Sequence, residues 1–258
     1  MSFCDESFKI AYKRGMRYFR LIPLFLGEYM ISDKEITVLE ERIGYTFTDK
    51  KLIKEALTHS SFSNEQRINK QPDYERLEFL GDSVLEMVSS AFLFKTYPDK
   101  REGEMTKLRA SMVCEVALAY CASDIHLEEF MMLGKGEENT GGRYRDSIVS
   151  DVMEAVIGAI YIDSGIVEAE KYINKFILSD LEDKQIFYDS KSILQEMIQS
   201  KNSGKLHYEL SGESGPEHDK IFETVVMVDD KKLGEGSGRS KKASEQKAAY
   251  EAILKLKK

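Results

Sequence analysis

Ile36, Leu39 and Ile43 recur at helical intervals behind Ser32, and Ser32 stands at capping-box spacing from Glu35, so an ordered helix is expected to begin there. From Asp49 to about Gly165 the apolar periodicity stays helical, with breaks at Pro72, from Pro98 to Gly103, and at the Gly141-Gly142 pair. No strand alternation is expected in that stretch. A further amphipathic helix, about Val167 to Leu181, runs into Glu182-Asp183-Lys184, the best candidate linker. The pattern then changes. Lys191 to Gln199 reads as a helix, followed by three β-like runs, Leu206–Leu210, Ile221–Val228 and Lys231–Glu235, and a last helix from about Lys241 to Leu256. The expected organisation is an N-terminal extension of unknown role (residues 1–31), a mainly α domain (32–181), a linker (182–188) and a small α+β domain of order α-β-β-β-α (189–258).

The length of 258 residues suits two domains. The formal net charge of −8 is unevenly spread, because residues 188–258 carry 13 Lys/Arg against 12 Asp/Glu while the rest carries 24 against 33. Ser237 to Lys258 alone holds 7 basic and 2 acidic residues, so an acidic front meets a basic tail. Cys4, Cys114 and Cys121 form no CxxC or Cys/His array, which points to a reducing cytoplasm and away from structural zinc. The most apolar N-terminal stretch, Leu21 to Leu26, is interrupted by Pro23 and is too short for a membrane span, so no membrane partner is expected.

Candidate chemistry lies in two acidic segments. Glu75, Glu78 and Asp82 are spaced i, i+3, i+7 and fall within a sector of roughly 60° on one helix face, with Leu77, Leu80, Val84 and Val88 opposite. Asp151 and Glu154 share a face of a second helix, and Ala155 and Gly158 project close to it, which lets a neighbour approach on the acidic side. Like charges so crowded repel unless a cation relieves them, and hard oxygen donors suit Mg²⁺, with Mn²⁺ as a substitute. Acids on one helix face are commonly just a solvated surface, but two such faces together favour a site. A di-iron bundle site is excluded, since none of His59, His126, His207 or His218 has Glu three residues before it. His59 reads as a structural histidine, Glu86 as a surface or dimer residue, and Asp146 and Ser147 as caps of the second acidic helix.

Glu75 to Ser83 reads ERLEFLGDS, with Asp151-x-x-Glu154 following, and around them stand Leu57-Thr58-His59-Ser60, Arg101-Glu102-Gly103-Glu104 and Thr140-Gly141-Gly142-Arg143. In these motifs the chain resembles ribonuclease III from about Ser32 to Lys258. The resemblance implies a helical nuclease domain acting as a homodimer, with Glu78, Asp82, Asp151 and Glu154 as metal ligands and Asp82 and Glu154 central to catalysis. Glu75 and Glu102 match family acids that assist. It further implies hydrolysis of double-stranded RNA by divalent-metal catalysis, leaving 5′-phosphate and 3′-hydroxyl ends with short 3′ overhangs. Precursors of ribosomal RNA and some messenger and transfer RNAs are the expected substrates, in the cytoplasm, and no DNA cleavage is expected.

Gly236 to Ala249 delivers Lys241 and Lys242 to the first turn of the last helix, where free N–H groups and the dipole attract phosphate. This stretch, Leu194-Gln195-Glu196, and Gly215 to Phe222 resemble the double-stranded RNA-binding domain, which reads A-form shape. The resemblance assigns Gln195, Glu196 and His218 to the minor groove, and Lys241 and Lys242 to phosphates. Two departures stand out: Ser190 where proline is common, and Glu245 where many stand-alone modules carry lysine. The rival function is a non-catalytic dimeric scaffold that holds duplex RNA; loss of ligand acids would mark it, and none is lost.

Overall fold

The computed structural model describes residues 30–66, 70–179, 186–187, 189–200, 204–215, 220–238 and 240–257. Helix α1 (Asp33–Ile43) opens as expected, with Ser32 Oγ accepting from Glu35 N–H and Glu35 returning a carboxylate to the Ser32 N–H. Then come α2 (Lys50–Ala56), α3 (Ser60–Glu65) and the long α4 (Glu75–Thr96), which stops at Tyr97 because Pro98 cannot follow a helical residue comfortably. Helices α5 (Glu102–Met112), α6 (Glu115–Asp124), α7 (Lys135–Asn139), α8 (Asp146–Ser164) and α9 (Ile166–Phe176) complete the helical part.

Helix α8 is the axis of this part. Val149, Val152, Met153, Ala155, Val156, Ile157, Ala159 and Ile160 are all buried, so it is apolar nearly all round and is surrounded by other helices. It packs most extensively against α4, and also against α2, α6 and α9. The α4–α8 crossing is unusually close. A Cβ on Gly81 would lie 1.8 Å from Glu154 O, and one on Gly158 would lie 2.2 Å from Leu77 O, so only glycines admit this approach.

A second hydrophobic cluster holds the C-terminal part together, built from Leu194 and Ile198 of α10 (Ser190–Ser200), Val226 and Val228 of the sheet, and Ala248, Ala249, Ala252 and Ile253 of α11 (Lys241–Leu256). The antiparallel sheet has the order β1 (Leu206–Ser214), β2 (Ile221–Val228), β3 (Lys231–Gly238). The fold is thus the expected mainly α part followed by α-β-β-β-α.

Three local expectations need correction. Strands β1 and β3 run past the expected Leu210 and Glu235, to Ser214 and Gly238. A bulge between Leu210 and Gly212 breaks the alternation of β1 while pairing continues, and the glycines of β3 sit under α11, with a Gly236 Cβ 2.4 Å from Ala248 N. Helix α9 ends at Phe176 rather than near Leu181, because the N–H groups of Ile177 and Leu178 both turn to Ile173 O. Finally, neither Asp146 nor Ser147 caps α8: the helix starts one residue earlier, with Arg145 in the cap position and no side-chain cap bond. Among the described residues no helix is long and apolar enough to cross a membrane.

Candidate nuclease centre and nucleic-acid interface

Helix α4 presents Glu75, Glu78 and Asp82 over its first two turns, and α8 presents Asp151 and Glu154 across the glycine-mediated crossing. The five acids meet as charges. Glu154 is half-buried and its carboxyl is pushed up to about 8, by burial first and then by Asp82, Asp151 and Glu78. Burial also raises Glu78, with Asp151, Glu75 and Asp82 adding to it. Asp82 is raised by burial and by Glu86, against the opposing guanidinium of Arg109. Asp151 is raised by burial, while a hydrogen bond from Tyr74 and the nearby His59 pull the other way.

Tyr74, buried at the start of α4, donates from Oη to Asp151 Oδ2 at 3.2 Å. Burial and the surrounding carboxylates hold the phenol protonated, so it serves as a donor. His59 caps α3, with Nδ1 accepting from the Ser61 N–H at 3.1 Å, in keeping with a structural role, yet its ring lies 5.6 Å from that of Tyr74. Burial lowers its pKa against the charges of Glu137, Asp151 and Glu75.

Not every expected residue joins this group. Glu102 stands exposed at the start of α5, where it accepts from Thr106 Oγ1 at 3.0 Å, and it is not among the charges acting on the four raised acids. Two features were missed in the sequence. Glu137, whose charge reaches His59 and which pairs with Arg145 at 2.6 Å, was hidden in a short charged run that reads as surface. Phe79, Met87 and Phe94 are 78%, 53% and 73% exposed along one side of α4, beside the acids. Their spacing was visible, but apolar residues in a helical pattern read first as core.

The donor set of Glu78, Asp82, Asp151 and Glu154 is entirely carboxylate oxygen, which fits a hard divalent cation. Among the described residues no three His, Cys, Asp or Glu side chains stand gathered as a formed metal cluster. A cation there would offset the charge that Asp82, Asp151 and Glu78 place on Glu154.

In the C-terminal part, Gln195 and Glu196 are exposed on α10 and Lys241 and Lys242 on the first turn of α11. Ser240 caps α11, its Oγ accepting from the Ala243 N–H at 3.1 Å, and Lys241 Nζ lies 5.9 Å from the Phe222 ring centroid. Glu245 is paired with Lys191 at 2.5 Å, and Lys191 also lies over the Tyr208 ring. This acid therefore ties α11 to α10. His218 lies outside the described residues.

Residues 49–181 match the family model described as ribonuclease-III-like, and residues 190–256 match the double-stranded RNA binding motif. The chain is 49% identical over 224 residues to Ribonuclease 3 of Caldanaerobacter subterraneus subsp. tengcongensis, covering 86% of this chain and 98% of that protein. It is 46% identical over 242 residues to Ribonuclease 3 of Shouchella clausii, covering 89% and 93%. Among solved structures, the nuclease domain of ribonuclease III from Campylobacter jejuni superposes with a TM-score of 0.51 at 40% identity, covering 55% of this chain and 95% of that one.

Proposed function

The chain belongs to the ribonuclease III family, an endoribonuclease of double-stranded RNA, and on that premise we propose that Glu78, Asp82, Asp151 and Glu154 hold the divalent cations with which it hydrolyses the phosphodiester backbone. The observation that carries this reading is the glycine-mediated crossing of α4 and α8, which sets half-buried Glu154 among Asp82, Asp151 and Glu78; burial and those three acids push its carboxyl up, a cost that a cation would relieve. Mg²⁺, or Mn²⁺ in its place, would supply activation of water and stabilisation of charge on the attacking and leaving oxygens. The chain's own part is to hold the four donors on rigid helices, with Glu75 adding negative field from the first turn of α4 and Glu102 an assisting acid at the start of α5. No side-chain nucleophile is needed, and the products are 5′-phosphate and 3′-hydroxyl ends with short 3′ overhangs.

Duplex RNA is gripped by the C-terminal module, with Gln195, Glu196 and His218 toward the minor groove and Lys241 and Lys242 on phosphates. Shape reading of this kind gives little base preference and fits structured precursors of ribosomal RNA and some messenger and transfer RNAs. The enzyme works as a homodimer: the exposed Phe79, Met87 and Phe94 of α4 form an apolar side that a second copy would cover. The Campylobacter nuclease domain is itself described as having a flexible region involved in dimer formation.

The test is cleavage of a long RNA duplex in Mg²⁺. Cutting is expected with the unaltered chain and is lost with EDTA or with Glu154→Ala, while duplex binding persists in both. Intact RNA with the unaltered chain would favour the scaffold reading, and comparable cutting of duplex DNA would contradict recognition of the 2′-hydroxyl.

A further inference from the structure

Tyr74 is 4% exposed and precedes Glu75 in the cap position of α4. Its backbone is fixed at both ends, since its N–H donates to Thr58 O at 2.9 Å and its carbonyl accepts from the Glu78 N–H at 2.9 Å. Its ring is held against His59, with centroids 5.6 Å apart, and its hydroxyl reaches Asp151 Oδ2 at 3.2 Å. One residue thus anchors the turn that carries Glu78 and, 77 positions away in the chain, bonds the carboxylate of Asp151.

We propose that Tyr74 is a positioning residue that locks Asp151 of α8 in register with Glu78 of α4, so that the two helices offer their donors to a cation as one unit. The inference rests on the cation reading of the four acids. Its physical basis is the choice of donor. A lysine or arginine at this place would also orient the carboxylate, but its positive charge would compete with the cation; a phenol orients without neutralising. It engages one carboxylate oxygen and leaves the other for the ligand. Partners that orient metal ligands in this way change metal affinity or activity by about 10–100-fold when removed.

The experiment uses the full chain and Mn²⁺ alone as probe, with bound metal read from the loss of the free Mn²⁺ electron paramagnetic resonance signal. Tyr74→Phe keeps the buried ring and removes only Oη. Its Mn²⁺ affinity is expected to fall about tenfold, and the Mn²⁺ concentration for half-maximal cleavage to rise by the same factor. Duplex affinity in EDTA, which does not involve the cation, stays within twofold of the unaltered chain. Unchanged Mn²⁺ affinity in Tyr74→Phe overturns the proposal. A double-mutant cycle guards against a merely structural effect. If Tyr74 acts through Asp151, adding Tyr74→Phe to Asp151→Asn weakens residual Mn²⁺ binding no further, whereas an undiminished added loss overturns the positioning role. Failure of the underlying reading looks different: the unaltered chain itself would bind no Mn²⁺, or Glu154→Ala would bind it equally well.

Discussion

Alanine at Gly81 should be among the most damaging of small substitutions in this protein, because the added methyl has nowhere to go. It would lie 1.8 Å from Glu154 O and 2.6 Å from Glu154 C. Carbon–oxygen contacts settle near 3.3 Å or more, so α4 and α8 must part by roughly 1.5 Å at this point. The obstacle is backbone, which no rotamer change removes. Taken alone, Gly→Ala inside a helix gains about 1 kcal/mol. Overpacking a close-packed interior costs about 1–3 kcal/mol, and a backbone clash belongs at or beyond the upper end, so a net loss of about 2 kcal/mol or more is expected. For a chain of this size that lowers the midpoint of thermal unfolding by about 4–8 °C. The displacement falls on Glu154 itself, so the Mg²⁺ concentration for half-maximal cleavage should rise as well. Thermal unfolding followed by circular dichroism in EDTA, with Mg²⁺-dependent duplex cleavage beside it, measures both effects. Gly103→Ala and Gly136→Ala are the matched controls, since a Cβ at either meets nothing within 4 Å; they should be neutral or slightly stabilising. A Gly81→Ala protein that melts with the unaltered chain and needs no more Mg²⁺ would refute backbone-to-backbone packing of α4 on α8.

In the metal-free protein burial and the neighbouring acids push the Glu154 carboxyl up to about 8 from an ordinary value of 4.5, so between those values the folded state is expected to hold a proton that the unfolded chain has released. Stability in EDTA should therefore fall as pH rises through that window, by about 1–2 kcal/mol after solvent screening, and Glu154→Gln should flatten the slope in melts from pH 5 to 9; a slope unchanged by Glu154→Gln contradicts the assignment. Glu245→Lys breaks the pair with Lys191 and sets two cations together, so it should cost the C-terminal module up to about 1 kcal/mol by chemical denaturation. The same change should tighten duplex binding and steepen its salt dependence by about one counterion; weaker binding at low salt would contradict it. Phe94→Glu places a charge on the 73% exposed ring position of α4 and should shift the protein toward monomer in sedimentation equilibrium, with its thermal midpoint at high dilution unchanged. A dimer of unaltered affinity would place the interface elsewhere.

What could be read in the chain divides along the range of the forces involved. The faces carrying Glu75, Glu78 and Asp82, and Asp151 and Glu154, follow from helix geometry alone, and so do the capping box at Ser32 and the last helix at Lys241–Leu256. That the two acidic helices could come close was foreshadowed by Ala155 and Gly158, since small residues on an acidic face remove the steric reason for keeping a neighbour away. Gly81 escaped notice because inside a signature a glycine has no periodicity to betray its partner. Where pairing with a distant segment overrides local preference, the pattern misled: the glycines ending β3 are poor strand formers in isolation and are held there by β2 and α11. The bond between Tyr74 and Asp151 belongs to the same class. An aromatic residue ahead of an acidic helix looks like ordinary core, and whether its hydroxyl meets a carboxylate depends on how α8 crosses α4, a distance set by two glycines rather than by either residue of the pair. The position of that hydroxyl is therefore a consequence of the crossing, and any substitution that opens the crossing should loosen Asp151 together with Glu154.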